Sequence, residues 1–133
     1  ILIGNLLGAI LCGLVYGLTV PSDAPLLQAA RLSQPFLSTL ARGIFAGMII
    51  YTGSYSWNTM TSAKPIGTLL AVTAFVVSRF ENSIADAFYF AAAFAQTGVF
   101  ELAVLPFMLA AILGNTIGPV LLCLAIPRNH QPA

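Results

Sequence analysis

The stretch from Gly67 to Ala95 constrains the fold more than any other part of the chain. Gly67 to Val77 is an unbroken run of apolar and small residues, and after Asp86 the run Ala87 to Ala95 again carries no charge. Between them, Ser78-Arg79-Phe80-Glu81-Asn82-Ser83 places two charges in a chain that has only five Lys and Arg and four Asp and Glu. As helices, the flanks Gly67 to Val77 and Ile84 to Ala95 each span roughly 16–18 Å at ~1.5 Å per residue. That is about half of a ~30 Å hydrocarbon core. Two half-span helices meeting at a polar interruption predict a broken transmembrane helix, a form that commonly builds a solute site.

Composition supports a membrane setting. The chain is 59% hydrophobic and 7% charged, against about 25% charged for a soluble domain, and a soluble fold of this size would expose large apolar patches. With a net charge of +1 and no basic cluster, nothing points to nucleic acid. The chain begins inside an apolar run at Ile1 without a charged leader, so it reads as the interior of a longer protein rather than as a signal peptide. Cys12 and Cys123 lie in apolar segments with no Cys-x-x-Cys spacing and no His partner. They read as small hydrophobes rather than as a disulfide or a metal pair. No phosphate loop, Ser–His–Asp set or metal cluster is present, so no enzyme and no cofactor are expected.

The expected fold class is all-α, a polytopic transmembrane bundle in a single membrane domain over 1–133. Its spans run about 1–20, 36–57, 66–95 (broken near 78–83) and 102–127. Gly4, Gly8, Gly13 and Gly17 recur one turn apart in the first span, and Gly43 and Gly47 in the second, a spacing that lets helices approach closely. Pro21 and Pro25 stop the first span, and Leu26 to Leu32 reads as a short interfacial helix. Tyr51, Tyr55 and Trp57 suit a membrane–water boundary. Pro119 is expected to kink the last span or free a carbonyl. His130 reads as a solvated tail residue. Arg31 and Arg42 on one side balance Lys64 and Arg128 on the other, so loop charge leaves the orientation open.

A repeat is visible. Gly4-Asn5-Leu6-Leu7-Gly8 matches Gly114-Asn115-Thr116-Ile117-Gly118, each followed by an apolar run. The motif stands in the first and last of four spans, so each related unit would hold three helices. An odd number places the units in opposite orientation, the inverted repeat of many transporters. On that logic two earlier spans would precede this chain.

At the break, charges at bilayer depth must face protein, water or a partner. Arg79 is expected to neutralise one of the acids Glu81 and Asp86, as a structural brace or as part of a proton relay. If a second half-helix starts near Ser83, its free amides and the Asn82 and Ser83 side chains offer an anion site. The same residue types also suit a plain N-cap. Phe75, about two turns earlier, reads either as packing or as a hydrophobic constriction.

These residues resemble the formate/nitrite transporter family. That family's fifth helix carries a phrase like F-x-x-S-G-F-E-H-S-I-A-N/D-x-F, and here the stretch runs from Phe75 to Phe88 as FVVSRFENSIADAF. The G-N-x-x-G of the family's third and sixth helices falls on Asn5 and Asn115, and Arg42 to Gly47 looks like the start of its fourth. The resemblance implies an aquaporin-like bundle, a homopentamer in the cell membrane and a pore within each protomer. It implies permeation of small monovalent anions of weak acids such as formate or nitrite, with or without a proton. It places both termini in the cytoplasm and Phe75 at a pore constriction. The pore and substrate residues it indicates are Phe75, Asn82, Ser83, Glu81 and Arg79, supported by Asp86, Asn5 and Asn115. The chain departs from the pattern at three points: the family's pore histidine falls on Asn82, Arg79 replaces a residue usually glycine, and Gly47 stands where Asn is frequent. The rival readings are a channel for a neutral or cationic small solute and a non-transporting membrane subunit.

Overall fold

A computed structural model describes residues 1–126, all of whose regular structure is helical. Arg128, His130 and the end of the fourth expected span at Pro127 lie outside the described residues. The helices are α1 (Leu2–Thr19), α2 (Ala24–Leu32), α3 (Phe36–Thr59), α4 (Lys64–Ser78), α5 (Ser83–Thr97) and α6 (Val104–Ala125). Among the described residues, α1, α3 and α6 are long and apolar enough to cross a membrane. The stretch 64–97 is two shorter helices, α4 and α5, interrupted between Ser78 and Ser83.

Local chemistry sets the ends of these elements. Pro25 sits in the first turn of α2, where its missing N–H costs nothing. The α5 helix begins on an Asn82 cap and ends at Gly98 with φ +69°, a left-handed stop that glycine adopts without strain. The α6 helix runs through Pro119, whose ring nitrogen cannot donate to the carbonyl of Asn115.

Two tight helix pairs, α3 with α6 and α1 with α5, carry most of the packing, while α2 lies on α5 and α4 on α3. Backbone contact explains the small residues. A methyl group on Gly118 would collide with the Ile44 carbonyl, and one on Gly13 with the carbonyl of Phe88. Gly4 and Gly8 have nothing within 4 Å of such a methyl, so the first span uses only its second glycine pair for contacts within this bundle. The buried apolar core is small and lies around α5 and α6, with Phe90 edge-on to Phe107 at 5.2 Å. The most deeply buried large side chains include two acids, Glu81 and Asp86. The fold therefore encloses charge where α2, α3, α5 and α6 converge on the interruption.

Candidate functional site at the helix break

The break is built from both helix ends. The α4 helix stops at Ser78, and its C-cap Arg79 adopts φ 51°, ψ 35°, a left-handed conformation uncommon outside glycine. Phe80 lies in the gap and stacks on Phe45 of α3 at 5.6 Å. Asn82 returns to extended backbone and caps α5, its Oδ1 accepting from the N–H groups of Ile84 (3.0 Å) and Ala85 (3.2 Å).

Asn115 on α6 ties the gap together. Its Oδ1 accepts from the Ser83 N–H at 2.8 Å. Its Nδ2 donates to the carbonyls of Glu81 at 2.9 Å and Gly43 at 3.0 Å. One amide thus holds the peptide groups on either side of Asn82 and the backbone of α3. Asn5, which stands in the matching motif of α1, is exposed.

These bonds correct the expectation of an amide anion site. The Ser83, Ile84 and Ala85 N–H groups are taken by side chains, and the Asp86 N–H donates to the Asn82 carbonyl at 2.8 Å. The first turn of α5 therefore has no free amide. What remains is the Asn82 Nδ2. Capping requires Oδ1 to face the helix, so Nδ2 points the other way, and it has no partner among the described residues. Asn82 is half-buried and Ser83 is buried.

The acids are held differently from the sequence expectation. Arg79 is exposed and forms no ion pair among the described residues. The cation at the acids is Arg31 of α2. Its Nη1 contacts Glu81 Oε2 and lies 2.5 Å from Asp86 Oδ1. Glu81 Oε1 also accepts from Gln34 Nε2 at 2.9 Å, and Arg42 of α3 stands 3.9 Å from the same oxygen. The Arg31 guanidinium carbon lies 5.5 Å from the Tyr89 ring centre, within range of a cation–π contact. Left-handed backbone at Arg79 turns the chain sharply between α4 and Glu81, which leaves the acids to the facing helices.

Arg31 is the residue that reading the sequence missed. The signal was its spacing. Gln28, Arg31 and Gln34 recur every third position along a short, otherwise largely apolar segment; Gln28 and Arg31 share one side of α2, and Gln34 follows just past its end. Each meets an acid: Gln28 donates to Glu101 at 2.9 Å, and Arg31 and Gln34 engage the acids of the break. Two acceptors in this cluster, Asp86 Oδ2 and Gln34 Oε1, are buried without a hydrogen-bond partner. Phe75 is half-buried on α4. Among the described residues no group of His, Cys, Asp and Glu is placed to hold a metal.

Apolar helices of spanning length, with a further apolar segment divided in two by an ordered polar turn, are the parts of a polytopic membrane protein. The family comparison agrees. A family model described as formate/nitrite transporter matches residues 1–128. The chain belongs to the formate/nitrite transporter family. No curated protein and no solved structure matches it.

Proposed function

We propose that the protein conducts small monovalent anions of weak acids, formate, nitrite or similar, across the cell membrane through a path that passes Asn82, and that it is not an enzyme. The observation that carries this reading is the fixed, unpartnered Asn82 Nδ2 at the helix break. Its orientation is set by the cap, so it meets an anion without reorganising. An amide N–H donates to a carboxylate or nitrite oxygen, but it does not take up or release a proton near neutral pH. Where proton movement accompanies the anion, the proton is therefore carried by something other than this side chain. In this reading Phe75 forms the hydrophobic constriction on the α4 side, and Ser83, Glu81 and Arg79 border the path. Asp86, Asn115 and Asn5 support it. The bundle is the aquaporin-like inverted repeat, assembled as a homopentamer in lipid.

The test is flux in proteoliposomes made with the full-length protein. Formate or nitrite enters faster than into empty liposomes, and reversal potentials follow the anion gradient. Flux no greater than in empty liposomes, or reversal potentials that follow a cation gradient, would refute the proposal.

A further inference from the structure

Two buried carboxylates beside an anion path would repel the solute. Burial sharpens the effect, because charge is screened less inside a protein than in water. Glu81 and Asp86 are about 1% and 0% exposed. Their counter-charges come from other elements, Arg31 from α2 and Arg42 from α3. The sum is two cations and two anions. Within this set Arg31 is unequal to Arg42: it touches both acids, and its side chain is 19% exposed, whereas Arg42 is 45% exposed and stands 3.9 Å from Glu81 alone. The acids flank Asn82 directly, since Glu81 precedes it and Asp86 lies one turn into the helix it caps.

We propose that Arg31 is a specificity-determining residue of the transport site: by neutralising the Glu81–Asp86 pair from α2, it keeps the potential at Asn82 permissive for anions. It touches no solute and acts through the two carboxylates, so it is a positioning and charge-balancing residue. The inference deepens the anion-path reading and rests on it for the identity of the solute. The charge balance at Asn82 can be measured without any transport.

The experiment uses the full-length protein with Cys12→Ser, Cys123→Ser and Asn82→Cys, reconstituted in lipid. The probes are two thiol-reactive methanethiosulfonates of similar size, one anionic and one cationic. The readout is the ratio of their modification rates. Arg31→Gln is expected to lower the anionic-to-cationic ratio on the order of tenfold, the effect of one unit charge on a neighbouring site of intermediate dielectric. Asp86→Asn is expected to raise it, and Arg31→Gln with Asp86→Asn to return it towards the parent value. A merely structural role for Arg31 would slow or speed both reagents together and give no opposite sign in Asp86→Asn. Unchanged ratios overturn the proposal. So does failure of both reagents to reach position 82, because the charge balance would then act on no accessible site. If Arg31→Gln alone does not fold, the double variant decides: a ratio near the parent value supports cancellation by Arg31, and a ratio raised as far as in Asp86→Asn alone overturns it. Absence of anion flux in the unmodified protein is a separate result that bears on the transport reading, not on this ratio.

Discussion

At the scale of single residues, the break is a set of side chains with one orientation each. Asn82 spends its oxygen on the helix and keeps its nitrogen for the outside. Arg79 is held at φ 51° with an exposed side chain. A Cβ in this region crowds the following carbonyl, at a cost of roughly 1–2 kcal/mol. Glycine avoids that crowding but gains freedom when unfolded, which returns part of the benefit. Arg79→Gly is therefore expected to stabilise the protein by about 0.5–1 kcal/mol, read as a higher apparent Tm in detergent. A lower Tm would mean that the Arg79 side chain makes contacts in the assembled protein that outweigh its backbone strain. The strain itself was not legible in the sequence. Ser78 to Ser83 announced an interruption through its polarity, but nothing in the residue types fixed which position would turn left-handed. Only the family's usual glycine at position 79 hinted at it.

At the scale of elements, α6 controls the break through one side chain. Asn115 bonds the Ser83 N–H, the Glu81 carbonyl and the Gly43 carbonyl. Asn115→Leu keeps the branched shape, with a somewhat larger volume, but leaves the Ser83 N–H and the Glu81 carbonyl unpaired. At ~1–3 kcal/mol for each buried polar group left without a partner, the substitution is expected to destabilise by about 2–6 kcal/mol in a denaturant titration. Thr116, the next residue, is exposed and bonds only within its own helix, so Thr116→Val should stay within ~0.5 kcal/mol. Equal losses at the two positions would remove Asn115 from its bridging role. The G-N-x-x-G repeat had marked Asn115 as a supporting residue. Its motif also supplied Gly114 and Gly118, which let α6 approach α3 closely enough for the amide to reach across. The partners of the acids were less visible. Arg31 lies 50 residues before Glu81, on a helix that composition assigned to the membrane surface. Arg79, a cation within two residues of Glu81, looked the simpler partner. Local sequence carries no information on how a short helix folds back onto a distant break, and that packing decided the pairing.

At the scale of the whole molecule, hydropathy alone revealed the all-helical class and the divided segment, because apolar runs of this length have few other solutions in lipid. The chemistry was not available from hydropathy. It depends on where α2, α3 and α6 place Arg31, Arg42 and Asn115 around two buried acids. The account joins these levels in one claim. The packed bundle fixes the Asn82 amide and sets Arg31 and Arg42 against the acids beside it; the proposed function has that amide donate to a small anion. Asn82→Asp separates that claim from simple capping. Aspartate is as good an N-cap as asparagine, so α5 should keep its start, while the new charge between Glu81 and Asp86 lowers stability through like-charge repulsion. The substitution removes the Nδ2 donor and adds a negative charge at the same point. The decisive measurement is formate flux into proteoliposomes containing full-length Asn82→Asp protein, set against the unmodified protein at equal reconstitution. The account predicts that flux falls at least about tenfold, one unit charge and one lost charge-assisted hydrogen bond, with the variant still folded at the assay temperature. Flux at the unmodified level would contradict it, and would place the anion path away from the break.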